Sequence, residues 1–417
     1  MNNTKTKQKT RLRFQVSKRT EMKVGYKILL YLGAILLAFV ISAIFIATMG
    51  KNPFEFYIKL ISGPFKNPRY TTLLIRGFIP LLITSLGISV AFKMKFWNIG
   101  AEGQYLIGAL SAFSMAILLG SKLPSVIGIF LVLLAGCIGS GIYGGFVAVL
   151  KAKFNTNETL LTLMLNYVAT YILTYFLNNR ISFYVQSGNG IPAFKMIDKT
   201  LWLSSIKFGD FSIDTSLFFA IAILLLLWVY FRFTKQGYQI SVVGDSPNTA
   251  RYAGMKVDRI MIRTMFLSSA LIGLAGALQL TGASANHTLG LSFTGGVGWT
   301  GIIVAWLAKL NPFGIALVSF LMALLEKGSD IARTSMGISA AVADVLKGII
   351  LFVILAFDFF VAYSINIRKE VVKPRNNTDK DTKAKEEAVE ETQSQSCEVV
   401  LDNQELALEN NEEKEVE

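Results

Sequence analysis

The sequence predicts an all-α, polytopic membrane protein of about ten transmembrane helices, and three observations lead there. Apolar runs of about 20 residues, the length a helix needs to cross the hydrocarbon core, recur along the chain. Hydrophobic residues make up 53% of it and charged residues only 17%, against about 25% charged in a typical soluble domain. Lys and Arg gather on alternate connections between the runs, as they do in loops kept on the cytoplasmic side.

Residues 1–27 hold nine Lys or Arg (Lys5, Lys7, Lys9, Arg11, Arg13, Lys18, Arg19, Lys23 and Lys27) against one acid, Glu21. This reads as a basic cytoplasmic segment. The apolar run behind it is too long for the core of a cleavable signal peptide. Residues 28–366 form the transmembrane domain. Its spans are Ile28–Met49, Thr71–Phe92, Tyr105–Leu119, Ser125–Leu150, Leu160–Leu177, Leu217–Phe233, Thr264–Gly282, Gly301–Ala308, Phe313–Leu325 and Val342–Tyr363. The eighth and ninth are short for a full crossing, so one is tilted or only half-buried. Alternation puts Lys93 and Lys95, Lys151 and Lys153, the Thr234–Arg263 loop, Lys309 and the Arg368–Lys369 end on the cytoplasmic side. Both termini are then cytoplasmic.

Residues 367–417 form the tail. From Asn376 onward, 4 Lys face 14 Asp or Glu, a net of −10, so the rest of the chain carries +23 of the total +13. A tail this acidic and free of aromatics cannot bury enough surface to fold alone. It reads as a disordered cytoplasmic extension, with partner binding as the alternative. The positive excess belongs with anionic lipid at the inner face of the bilayer, not with nucleic acid.

Several chemistries lack their parts. Cys137 lies within a span and Cys397 in the tail, so a disulfide between them is implausible, and no metal-ligand spacing exists. The one histidine, His287, falls in an external loop and reads as solvated, a solute contact being the second reading. The glycine-rich GSGIYGGF (Gly139–Phe146) has no Lys-Ser or Lys-Thr after its glycines and sits inside a span, where small residues allow close helix packing. The chain therefore binds no cofactor of its own, and any ATP it depends on is bound by another subunit. Arg76 and Asp344 lie toward span ends, and the lack of a charge at the midplane argues against strongly charged cargo.

Polar residues within spans mark where a solute could pass. Asn98, Glu102 and Gln104 stand beside Gly100 and Gly103 in KFWNIGAEGQYLIGAL. Glu102 is near the cytoplasmic end of its span, where it serves either a gate or the cargo. In FNTNETLLTLMLNYVATY, Asn157 is either an N-cap or functional, and Asn166, two turns further in, either bonds helix to helix or meets the solute. Trp299 in GGVGWTGIIVAW, flanked by small residues, could stack on a ring. The Thr234–Arg263 connection is long enough to fold into a small helix. Its small residues leave room for a partner to pack closely, and Arg251 and Arg259 could pair with acidic groups on that partner.

WNIGAEGQYLIGAL, FNTNETLLTLMLNYVATY, VVGDSPNTARYAGMKVDRIMIRTMFLSSALIGLAGALQLTG and EKGSDIARTSMGISAAVADVLKGIILFVI occur in order. Over roughly Lys23 to Lys369 the chain resembles the permease subunits of bacterial ABC importers for branched-chain amino acids, sugars and nucleosides, and most resembles those for simple sugars and nucleosides. The resemblance implies an ABC ATP-binding subunit, a second permease chain and an extracytoplasmic solute-binding lipoprotein as partners. It makes residues 234–263 the segment that couples to the ATPase, with Gly244, Ala250 and Gly254 at the family's usual positions. Nucleosides are the first expectation for the cargo and simple sugars the second. The competing reading is a secondary transporter or channel for a small neutral solute.

Overall fold

In the computed structural model, residues 10–18, 24–186, 190–208, 211–283 and 287–371 are described. Residues 372–417 of the acidic tail, with Cys397, lie outside them, as do residues 1–9 and 19–23 of the basic segment, whereas residues 367–371, expected to be disordered, belong to a strand paired through its backbone. Two compact units divide the chain, Val24–Asp358 and a smaller one of Met1–Lys23 with Phe359–Glu417. In the smaller unit, β1 (Thr10–Lys18) runs antiparallel to β4 (Tyr363–Val371), in register from Thr10 opposite Val371 to Lys18 opposite Tyr363.

The larger unit is helical apart from one hairpin, β2 (Ser205–Phe208) with β3 (Phe211–Asp214). Each predicted span corresponds to one helix. In chain order these are α1 (Val24–Thr48), α3 (Pro68–Lys93), α4 (Ala101–Leu119), α5 (Ser125–Phe154) and α6 (Glu158–Asn178). The rest are α7 (Ser216–Phe233), α10 (Val257–Leu278), α11 (Val297–Leu307), α12 (Pro312–Met336) and α13 (Ala340–Ala362). Among the described residues six helices are long and apolar enough to cross a bilayer, and a bent pair makes a seventh. The eighth predicted span is the 11-residue α11, about 16 Å long at 1.5 Å per residue and too short to cross.

Three helices were not foreseen individually. α2 (Pro53–Lys66) follows α1 after a bend of 119°, and α8 (Lys235–Asp245) and α9 (Pro247–Tyr252) fill the long polar connection. The chain marks several of these starts with one device. Asn52, Asn67 and Asn311 each cap a helix whose first residue is proline, and Ser246 does the same for α9. A side-chain oxygen then accepts from an otherwise unpaired N–H, and proline occupies a position that needs no donor.

α10 is the spine of the larger unit and packs on α3, α4 and α5. Small residues set the distance of these contacts. Gly136, Ser140 and Gly144 form a stripe along α5, and a Cβ on Gly144 would meet Ser269 Oγ at 1.7 Å. A Cβ on Gly108 of α4 would fall 2.2 Å from Gly273 Cα of α10. Ser140 Oγ donates to Ser269 O (2.7 Å) and Ser268 Oγ to Gly87 O (2.7 Å), so hydroxyls bridge where the backbones touch. The glycines of GSGIYGGF do pack helices, as expected: Gly139 lies against Ser111 and Gly141 against Phe266. Between helices in lipid, close approach of this kind replaces the hydrophobic drive available in water.

The Gly108–Gly273 contact gives a stability prediction. Gly108→Val must separate α4 from α10 and should cost about 1–3 kcal/mol or more, as overpacked cores do. A fall in the thermal midpoint of the detergent-purified protein would register it, and an unchanged midpoint would refute the packing.

Candidate functional site

Two helices of the larger unit begin inside protein rather than at its surface. α4 starts after the buried Asn98 and Gly100, and α11 starts around the buried Gly298. The first N–H groups of a helix have no partner within it, and in an apolar body each must find one elsewhere. The sequence-predicted polar residues supply them. Asn166 of α6 accepts from Gly103 N (2.8 Å) through Oδ1 and donates to Ile99 O (2.8 Å) through Nδ2. Asn98 and Gln104 exchange two amide hydrogen bonds of 2.9 Å, and Asn98 Oδ1 also accepts from Gly100 N. Glu102 Oε2 accepts from Gly298 N at 2.7 Å, which sets a carboxylate on the N-terminus of α11, the positive end of that helix's dipole. A Cβ on Gly298 would lie 2.4 Å from Glu102 N, so no larger residue fits at this junction.

These bonds give two of the polar residues a structural part. Asn157 is an N-cap, accepting from Thr159 N and Leu160 N, and Asn166 bonds helix to helix. Trp299 follows the junction and is 41% exposed. The lone His287 is not solvated as expected. Its ring stacks on Trp202 at 3.9 Å and its Nδ1 lies 3.1 Å from Leu280 O, and burial holds its pKa below the ordinary value.

Beyond the junction, away from α8 and α9, a cavity of about 280 Å³ lies among α3, the end of α10, the 292–297 turn and α12. Its lining includes Arg76, Gln279, Phe293, Val297, Glu326 and Lys327. Sequence reading missed Gln279, Phe293, Glu326 and Lys327 as site residues. The acid–base neighbours Glu326 and Lys327 fell just past the apolar run that ended at Leu325. Gln279 opens a π turn, Gln279–Ala283, of the kind that often interrupts helices at functional positions. It accepts from Tyr105 Oη and donates to Phe293 O (2.8 Å), tying the cavity floor to α4. The charged side chains on the wall each have a partner of opposite sign. Arg76 forks onto Asp214 of β3 (2.7 and 3.2 Å), and Lys327 pairs with Glu326 (2.9 Å).

At the opposite end, α8 and α9 pack against the C-terminus of α3. Gly244 sits against Lys93 O, which a Cβ there would approach to 2.2 Å, and Ala250 is fully buried. Gly254 takes a left-handed φ of +74° in the turn from α9 to α10. The small residues expected to make room for a partner thus serve the chain's own packing at Gly244 and Ala250. What faces outward is Arg251, Arg259 and Tyr252, the last 93% exposed. A second cavity of about 360 Å³ lies beside this platform, lined in part by Met94, Lys151, Glu158, Gly244, Arg251 and Met261.

The hydrogen bonds of Asn166 predict its substitution. Asn166→Leu strands one buried N–H and one buried C=O, at about 1–3 kcal/mol each. Asn157→Ala removes only an exposed cap, at about 0.5–2 kcal/mol. Thermal unfolding of the two variants in detergent should rank Asn166→Leu as clearly the less stable, and equal midpoints would deny Asn166 its structural role.

A family model described as branched-chain amino acid transport system / permease component matches residues 70–355. The nucleoside ABC transporter permease protein NupB of Lactococcus lactis subsp. cremoris is 28% identical over 363 residues, covering 86% of this chain and 98% of the relative. The guanosine ABC transporter permease protein NupP of Bacillus subtilis is 28% identical over 338 residues, with 80% and 93% covered. The glucose ABC transporter permease protein TsgB13 of Haloferax volcanii is 26% identical over 309 residues, with 71% and 78% covered. The chain belongs to the branched-chain amino acid transport system permease family and is a multi-pass membrane permease of an ABC importer, in which ATP hydrolysis lies on a separate subunit.

Proposed function

We propose that this permease carries nucleosides, or failing that simple sugars, across the bacterial plasma membrane. It works with an ABC ATP-binding subunit, a second permease chain, identical or homologous, and an extracytoplasmic solute-binding lipoprotein. The chain enters the bilayer about ten times, α11 without crossing it, an even number of full crossings leaving both termini in the cytoplasm, with domains at 1–27, 28–366 and 367–417. The observation that carries the choice of cargo is the cavity lined by Arg76, Glu326 and Lys327, with the buried Asp214 behind the wall balancing Arg76. Its charges cancel in pairs, which suits a neutral, hydrogen-bonding solute better than an ion. The names of the nucleoside, guanosine and glucose permeases agree with that class.

The solute enters this cavity from outside and leaves past the junction of α4 and α11. Asn98, Gln104 and Asn166 hold the start of α4 in place along that path. Glu102, bonded to Gly298 N, closes it, and Trp299 faces the solute on the way. The platform of α8 and α9 (within residues 234–263) takes up the movement of the ATPase. Gly244, Ala250 and Gly254 keep its shape, while Arg251 and Arg259 meet acidic groups on the partner. Tyr252 joins that exposed face as an aromatic anchor, the residue type that contributes most at protein interfaces.

Two measurements test this reading. Proteoliposomes holding the permease pair, the ATP-binding subunit and the binding protein should take up labelled uridine or ribose only when ATP is supplied, and the permease chain alone should hydrolyse none. Uptake driven by an ion gradient without ATP would contradict the scheme. In a variant lacking cysteines, a cysteine at the exposed Asn248 should react with an impermeant maleimide only after the cells are opened. Reaction in intact cells would reverse the topology.

A further inference from the structure

Lys327 reaches its place by an unusual route. Its aliphatic stem crosses Gly77 of α3, where a Cβ would lie 2.9 Å from Lys327 Cε, so the missing side chain is what admits it. There its Nζ meets Glu326 Oε1 at 2.9 Å, and both residues keep partial exposure, 29% and 39%, on the cavity wall. An ion pair between sequence neighbours stabilises little where solvent reaches it, so its placement calls for another explanation.

Arg76, which lines the same cavity, uses Nε and Nη2 on Asp214, and among the described residues its Nη1 has no hydrogen-bond partner. Asp214 is only 3% exposed and holds the guanidinium in a fixed position. Phe293 adds an aromatic face beside these groups, its backbone carbonyl fixed by Gln279 Nε2 and its ring 6.1 Å from that of Tyr105. A carboxylate, an ammonium, a guanidinium and one aromatic ring thus line the same cavity. That set matches adjacent hydroxyls on a ring: the carboxylate accepts, the cations donate, and the aromatic covers the ring's apolar face.

We infer that Glu326 and Lys327, with Arg76 and Phe293 of the same cavity, form a subsite that recognises the vicinal hydroxyls of a neutral ring solute, the ribose of a nucleoside or a simple sugar. The inference rests on the proposed cargo class and adds to it the groups that read it. Hydrogen bonds to charged groups are stronger than those between neutral ones. They can therefore select a hydroxylated solute in an open cavity without retaining it.

The test compares uptake of uridine and 2′,3′-dideoxyuridine by the complete reconstituted importer, wild type against Glu326→Gln. The binding protein is common to both, so its own discrimination cancels in the ratio of ratios. Loss of one charge-assisted hydrogen bond should narrow the preference for uridine about fivefold or more. Lys327→Gln, measured the same way, should narrow it too, and copurification with the ATP-binding subunit establishes that each variant assembles. An unchanged preference in assembled variants would overturn the subsite while leaving the cargo class intact. Failure of the wild type to import either uridine or ribose would remove the cargo class and the subsite with it. Loss of assembly in both variants would show that the pair only holds α12, which also overturns the inference.

Discussion

The need to satisfy buried helix starts governs this molecule. Two helices, α4 and α11, begin within the apolar body, where a bare N–H has no water to turn to. Their first amides are bound by Asn166 at Gly103, by Asn98 at Gly100 and by Glu102 at Gly298. A carboxylate on a helix N-terminus gains from both the hydrogen bond and the dipole, up to about 2 kcal/mol in partly buried geometry. Remove that set of contacts and neither helix has a reason to begin where it does.

From that junction a chain of contacts runs in both directions. Tyr105, one turn along α4, reaches Gln279 at the end of α10, and Gln279 fixes the carbonyl of Phe293 at the cavity. Val297 lines the cavity while its neighbour Gly298 holds Glu102. In the other direction, α10 runs along α3, α4 and α5 on glycine and serine contacts to the platform of α8 and α9, where Gly244 rests on the last carbonyl of α3. A displacement at the platform therefore meets close backbone contacts on its way to the junction, with little soft packing to absorb it.

How much of this the sequence disclosed depended on the range of the interaction involved. Apolar runs located every long helix, because length and hydropathy are local properties. The polar residues within spans, Asn98, Glu102, Gln104 and Asn166, stood out because such residues are scarce in lipid, yet their partners lie 2 to 196 positions away, and no local pattern reveals the distant ones. Helix α2 escaped notice although Asn52–Pro53 announces its start, because its 14 residues are too few and too polar to read as a span. The β1–β4 pairing joins residues over 340 positions apart, beyond any local signal. Glu326 and Lys327 were passed over for a similar reason. Charges just past an apolar run look like its end, whereas α12 continues to Met336. The small residues of the polar connection were legible as important, but whether smallness served a partner or the chain itself depended on where Lys93 lay.

The account turns on the bond between Glu102 and Gly298 closing the route and yielding during transport. Hydrogen–deuterium exchange on the complete importer in lipid nanodiscs, followed at peptides spanning Gly298, tests this directly. The Gly298 amide should be protected in the resting complex and exchange faster during ATP turnover with solute and binding protein present. Protection that stays unchanged while transport proceeds would contradict the account.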